Sequence, residues 1–283
     1  MVASRDQARA AIESGAVLVA GAPATKPAHL VDPGEPVVLV VAPRFVGRGG
    51  HKLEAALDRF GIAVAGTVAL DVGASTGGFT DCLLQRGAAR VVAVDVGRNQ
   101  LHERLRADAR VDCREQTDVR ALDPEGAGGP FPLVVADLAF ISLTRVVPAL
   151  LQSASPGADL VLLVKPQFEA AKVEVSRGRG VIRDPQVWRR ALRDVAGALS
   201  DHGAAIMGAM VSPLRGADGN VEFLVHAAAP PGARPHAPVE PARRAPAPPV
   251  DAALDRVVDD AIAAVAAATG ERAEPGNGAV QAP

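Results

Sequence analysis

Residues 67–81 read TVALDVGASTGGFTD, a β-branched apolar run that reaches Asp71 and breaks at once into a glycine-rich turn. The valines and leucine before Asp71 fit a buried parallel strand. Gly73, Gly77 and Gly78 permit a tight turn and the close approach of a ligand to the backbone. From Phe79 to Gln85 the pattern is helical. A strand, a glycine turn and a helix N-terminus in that order form a socket for a nucleotide-like group, because small side chains and free N–H groups gather at the carboxyl end of the strand.

Working outward, helix and strand alternate from residue 51: HKLEAALDRFGI, TVALDV, TDCLLQRG, RVVAVDV, NQLHERLRAD, VDCREQ, LVVADL, VVPALLQSA and DLVLLVK. Five strands separated by helices imply right-handed βαβ units and an open parallel sheet. Residues 184–203 predict the clearest helix, with Asp184 as N-cap, Pro185 in the first turn and Gly203 at the end. AAIMGAMVSP and NVEFLVHAA then read as two strands of an antiparallel hairpin at the sheet's edge. The expected fold is therefore α/β, Rossmann-like, with a seven-stranded sheet ending in a hairpin, the class I methyltransferase arrangement.

Composition bounds the alternatives. The chain has 283 residues, 48% of them hydrophobic, and supports a sizeable core. The net charge is −2, so a nucleic-acid partner must be met by a local patch. From residue 228 onward there are five Arg and seven acids, which leaves 25 basic and 25 acidic groups before it. Cys82 and Cys113 form neither a disulfide framework nor a zinc pattern. No run approaches the roughly 18 apolar residues of a membrane span, and the first residues, MVASRDQARA, lack an apolar signal core. A cytoplasmic protein is expected, as a monomer.

Residues 1–42 predict a small α+β unit: a helix from Ser4 to Gly15, the strand AVLVAG, a turn, and VVLVV. Residues 43–50 follow as a basic linker, and PRFVGRGGHK carries Arg44, Arg48, His51 and Lys52 with no acid among them. Clustered cations of this kind contact phosphates. The predicted methyltransferase domain runs over 51–228. Residues 229–283 form a Pro/Ala-rich tail: eight prolines fall within 230–249, predicting an extended linker. An amphipathic helix is expected at 250–269, with Leu254, Val257, Val258, Ala261, Ile262 and Val265 on one face.

Two constellations carry chemistry. Asp95 closes RVVAVDV 22 residues after Gly73, where an acid accepts hydrogen bonds from ribose hydroxyls. A dinucleotide site would share it, but Ser75 stands where the second glycine of G-x-G-x-x-G must admit a pyrophosphate. S-adenosylmethionine has no phosphates and suits the turn better, with Asp71, Gly73, Gly77 and Gly78 around its methionine end and Asp118 beside its adenine. The second constellation is Lys52, Asp137, Lys165 and Glu222, each at the end of an element that a doubly wound sheet brings to its ligand-binding edge. Methylating a ribose 2′-hydroxyl requires an aligned oxygen and a group to take its proton. Lys165 is assigned as acceptor of that proton or as polariser of the hydroxyl, with Asp137, Lys52 and Glu222 as orienters and no metal required.

In order along the chain, RGGHKL, DVGASTGGFTD, VAVDVGRNQL, ADLAFISL, VKPQFE and GNVEF resemble the TlyA family of ribosomal RNA 2′-O-methyltransferases, within the broader FtsJ-like group. The resemblance covers about residues 4–227. It implies an S4-type RNA-binding module, here shortened, joined to a class I methyltransferase domain that acts on the 2′-hydroxyl of cytidine in 16S rRNA, 23S rRNA or both. It also implies a Lys-Asp-Lys-Glu tetrad at Lys52, Asp137, Lys165 and Glu222. S-adenosylmethionine is implied at Asp71, Gly73, Ser75, Thr76, Gly77, Gly78 and Phe79, with Asp95 and Asp118. Arg5, Arg44 and Arg48 are the implied RNA contacts. Members are also called haemolysins, but nothing cationic and amphipathic in the body supports membrane lysis. Two rivals are a non-enzymatic ribosome-binding protein that keeps the fold, which would have no use for the tetrad, and a nicotinamide dehydrogenase, which Ser75 and the terminal hairpin disfavour.

Overall fold

The computed structural model describes residues 8, 11–12, 16–24, 26–28, 30–40, 44–216, 218–232 and 250–269. The chain divides into two compact units, Met1–Arg44 and Phe45–Pro283. In the first, β1 (Val17–Val19), β2 (Ala22–Pro23) and β3 (Val37–Leu39) form an antiparallel sheet in the order β2-β1-β3. Ala8, Ala11 and Ile12 are helical. The remainder of the predicted N-terminal helix, Arg5 included, lies outside the described residues, as does 233–249 of the predicted linker.

The second unit is built on seven strands: β4 (Val68–Val72), β5 (Arg90–Val94), β6 (Val111–Arg114), β7 (Phe131–Ala136), β8 (Ala154–Val164), β9 (Ala205–Val211) and β10 (Phe223–Ala228), ordered β6-β5-β4-β7-β8-β10-β9. Strands β4 to β8 are parallel, and β10 runs antiparallel between β8 and β9. The chain moves outward from β4 to β6 and returns to lay β7 against β4. That reversal opens a crevice at the carboxyl ends of β4 and β7, where ligands bind in such sheets.

Both faces of the sheet are buried, as parallel strands require. Successive residues point to opposite sides: Ala69, Leu133, Val135, Val161 and Leu163 pack with Leu53 and Leu57 of α1 (Gly49–Phe60) and Leu83 of α2 (Gly78–Gln85). On the other face Leu70, Val72, Val134, Leu160 and Leu162 meet α4 (Val147–Ser153) and α7 (Pro185–Asp201). Helix α7 begins where Asp184 accepts the Gln186 N–H at 2.8 Å. It buries Trp188, Ala191, Leu192, Val195 and Leu199, spaced three or four apart along one side.

The helix expected over NQLHERLRAD is cut to one turn, α3 (Glu103–Arg106). The Glu115 carboxylate accepts the N–H groups of Asn99, Gln100 and Leu101, so those donors hold a loop instead of entering a helix. These bonds, Leu101's first among them, draw the Glu115 carboxyl down to about 2.

The tail helix, α8 (Val250–Thr269), packs on α7 and β9. Leu254, Val258 and Ala261 are buried in the main core, and Arg189 and Arg193 pair with Asp255, Asp259 and Asp251 along its flank. Exposed ion pairs add little, so the apolar stripe supplies the hold. Leu254→Ala should lower the unfolding free energy by about 2–4 kcal/mol in urea titration; an unchanged midpoint would show that α8 rests on the body without sharing its core.

Candidate active site

The β4–α2 turn is shaped by backbone demands. Gly73 (φ +82°) has no room for a side chain, since a Cβ would lie 2.5 Å from the Asp137 carbonyl oxygen. Gly77 (φ +99°) faces Leu101 and Leu105, and Gly78 lies under the Gly47–Gly50 backbone. Gly73 and Ser75 line both of the cavities at the crevice, whereas Gly77 lines neither. Ser75 itself sits at φ +49° and donates its N–H to Asp95 Oδ2 at 2.8 Å.

Two adjoining cavities open at the crevice. The larger, about 570 Å³, is lined by Gly73, Ser75, Asp95, Gln100, Asp118 and Phe140 among others. The smaller, about 330 Å³, is lined by Arg48, Lys52, Thr76, Gly78, Phe79 and Asp137 and shares Gly73 and Ser75 with its neighbour. Asp95 stands just past β5, its second oxygen accepting the Gly97 N–H at 2.7 Å. Each of its oxygens keeps a second lone pair. Asp118 caps a 3-10 turn (Val119–Ala121) and is gripped by the Arg120 guanidinium, which holds its carboxyl below the usual carboxylate range.

Asp71 is wholly buried. Thr80 donates its hydroxyl to Oδ2 at 2.6 Å, and Oδ1 has no hydrogen-bond partner. Burial, with the nearby Asp137 and Asp95 charges, pushes this carboxyl up to about 7 against the opposing Thr80 donors. A carboxyl raised in the folded state is protonated there while the unfolded chain has already lost its proton. The stability it confers is full below about pH 4 and is lost as pH rises towards 7, by up to about 4 kcal/mol for a shift of this size. Asp71→Asn should therefore raise the melting temperature of the ligand-free protein at pH 8 and leave it little changed at pH 4; equal shifts at both pH values would contradict this ionisation.

The four tetrad residues converge as two ion pairs. Lys165 Nζ lies 2.6 Å from Asp137 Oδ1, and Lys52 Nζ is paired with Glu222 Oε2. Topology explains the convergence. Asp137 and Lys165 follow the carboxyl ends of β7 and β8, and the antiparallel register that pairs Phe223 with Val164 delivers Glu222 to the same edge. Lys52 and Glu222 are nearly inaccessible, whereas Lys165 and Asp137 keep 14% and 22% of their side-chain surface. The Lys165–Asp137 pair is the more exposed of the two. Gly216 allows the 212–222 connection to close over Glu222, where a Cβ would approach Oε1 to 2.6 Å.

Of the expected RNA contacts, Arg48 is exposed beside the smaller cavity and bonds the Arg215 carbonyl. Arg44 is exposed at the end of the first unit. Arg5 lies outside the described residues. Sequence reasoning assigned no role to Phe140, whose side chain is 92% exposed at φ +64° on the rim of the larger cavity. Nor did it single out Glu169, which binds the loop behind Phe140. Both occur three or four residues after a tetrad member, inside the stretches ADLAFISL and VKPQFE that carry the resemblance.

Among the described residues no helix is long and apolar enough to cross a membrane. The S4 domain model matches residues 1–37, and the FtsJ-like methyltransferase model matches residues 45–229. Over 224 residues the chain is 50% identical to the 16S/23S rRNA (cytidine-2′-O)-methyltransferase TlyA of Mycobacterium tuberculosis, covering 78% of this chain and 83% of that one. It is 40% identical to Hemolysin A of Brachyspira hyodysenteriae, across 79% and 93% of the two chains. A solved structure described as that of a hemolysin from Streptococcus thermophilus is 36% identical, with a TM-score of 0.72 over 95% of this chain and 94% of its own. With the larger of the two models spanning the whole sheet and both cavities, the chain belongs to the FtsJ-like methyltransferase family.

Proposed function

We propose that the protein transfers a methyl group from S-adenosylmethionine to the ribose 2′-hydroxyl of a cytidine in 16S rRNA, 23S rRNA or both. The observation that carries this reading is the partly exposed Lys165–Asp137 ion pair, whose Asp137 lines both cavities of a cofactor-sized crevice. When bound, S-adenosylmethionine supplies an electrophilic methyl on a sulfonium. The residues present suit it: Asp95 offers acceptors for ribose hydroxyls, and the buried Oδ1 of Asp71 has no hydrogen-bond partner.

On this reading Lys165 takes the proton of the 2′-hydroxyl, which a lysine amine does in its neutral form. Asp137 holds the amine in place. Lys52 and Glu222 wall the site as a buried pair and keep the 212–222 connection closed over it. Phe140 offers an aromatic face at the rim on which an unpaired base can stack, as single-stranded RNA requires. Arg5, Arg44 and Arg48 serve the phosphate backbone, with the S4 unit supplying further affinity for ribosomal RNA. On this reading the protein acts as a monomer, and the transfer calls on no metal. We infer a division of labour at Arg44, with RNA docking by residues 1–44 and transfer by the rest.

The test is incubation with labelled S-adenosylmethionine and purified small and large ribosomal subunits. Label in the rRNA of either subunit is expected. A protein that binds the cofactor yet labels neither would instead fit a ribosome-binding role.

A further inference from the structure

The loop after β7 and the turn after β8 present Asp137 and Lys165, yet they belong to separate strands. Their mutual ion pair is partly exposed and is too weak by itself to hold two loops in register. Glu169 supplies a second tie. It is the last residue of α5 (Pro166–Glu169), the turn that begins immediately after Lys165. Its Oε1 accepts the Leu143 N–H at 2.8 Å and its Oε2 accepts the Ser142 hydroxyl. Ser142 Oγ in turn accepts the Thr144 N–H at 3.2 Å, capping the 3-10 turn Leu143–Arg145.

Between Asp137 and Ser142 the backbone is strained. Phe140 adopts a left-handed φ of +64°, which costs a bulky L-residue about 1–2 kcal/mol. Its ring projects into solvent, 5.3 Å from that of Phe168 on α5. Such a loop persists only if both ends are held. One end is fixed by the sheet, where the Asp137 N–H bonds the Val72 carbonyl at 3.0 Å; the other is fixed by Glu169.

We propose that Glu169 is a positioning residue for methyl transfer, its carboxylate binding the 137–143 loop to the 165–169 turn so that Asp137, Phe140 and Lys165 meet the target nucleotide as one unit. This deepens, and rests on, the ribose-methylation reading above. Both carboxylate oxygens of Glu169 accept hydrogen bonds across this tie; burial pushes its carboxyl up, against the Ser142 and Leu143 donors.

The test uses the full chain with Glu169→Ala, Glu169→Gln and the milder Ser142→Ala. At saturating cofactor and ribosomal subunits, Glu169→Ala should lower the single-turnover rate about 30-fold while the cofactor Kd moves less than about 2-fold. Glu169→Gln should recover to within about 3-fold of the parent, because its amide oxygen accepts from Leu143 and its amide N–H bonds Ser142. Hydrogen exchange in the 138–145 segment should accelerate in Glu169→Ala, and less in Ser142→Ala. The proposal is overturned if Glu169→Ala keeps its rate, if its defect vanishes at saturating cofactor, if Gln is as impaired as Ala, or if the exchange does not change. Should Glu169→Ala not fold, Ser142→Ala and Glu169→Gln decide by the same readouts. If the parent protein itself methylates no ribose, the functional reading falls, and exchange still decides whether Glu169 holds the loop.

Discussion

Lys165→Ala is expected to lower the single-turnover rate of rRNA methylation by about 10³-fold, within the range general-base catalysis supplies, while binding S-adenosylmethionine about as well as the parent. The side chain removed is not part of the lining of either cavity; it pairs with Asp137 and lies over the Phe168 ring, 5.8 Å from its centroid. Lys165→Arg separates two roles. A guanidinium keeps the charge and the ion pair but stays protonated at any working pH, so it should be almost as inactive as alanine. An active Arg variant would mean that positive charge near the 2′-oxygen suffices and that no proton passes to residue 165. Isothermal titration with the cofactor and quench-flow with labelled cofactor on ribosomal subunits measure the two quantities.

Asp95→Ala should weaken cofactor binding about 100-fold, about 2.7 kcal/mol. The carboxylate does two things at once in the ligand-free protein. It joins the β4–α2 turn to the loop after β5 by accepting the Ser75 and Gly97 N–H groups, and it leaves lone pairs directed to the larger cavity it lines. Removing it orphans two backbone donors and lets Ser75 leave its left-handed conformation. Asp95→Asn, which retains one acceptor oxygen, should fall between alanine and the parent. Titration calorimetry at fixed pH reads this directly; an Asp95→Ala affinity within about 3-fold of the parent would remove the carboxylate from the cofactor site.

The parts of the fold that depend on local periodicity were legible in the chain. TVALDV, RVVAVDV and LVVADL are apolar runs buried almost without a break, each with an acid next to last, and strand ends in a doubly wound sheet gather at one edge whatever the order of the strands. What pairs with what was not legible, because it depends on that order. The Lys165–Asp137 tie needs β7 beside β8, and the Lys52–Glu222 tie needs β10 inserted antiparallel between β8 and β9.

Other departures have the same origin. Glycines read as ligand-admitting can equally admit protein: at Gly77 the space is filled by Leu101 and Leu105. Helical periodicity in 99–108 lost to a carboxylate sixteen residues from Asn99, which captured the N–H groups a helix would have left free. The tail helix kept the apolar stripe that sequence suggested except at Ile262, which is exposed, yet only tertiary packing revealed that Leu254 and Val258 complete the core beneath α7. Phe140 and Glu169 fall inside ADLAFISL and VKPQFE, but neither periodicity nor residue chemistry singled them out within those stretches. Their importance lies in a strained backbone and a cross-loop hydrogen bond, which have no one-dimensional trace.

The central claim is that the acceptor atom is a ribose 2′-oxygen, and its most direct measurement is the identity of the methylated nucleoside. After incubation with the protein and cofactor, rRNA from each subunit should yield 2′-O-methylcytidine on complete digestion and mass spectrometry. The phosphodiester 3′ to that nucleotide should resist alkali, because the hydroxyl that would attack it is blocked. Label carried on the base, or a labelled site that alkali cleaves normally, would contradict the account.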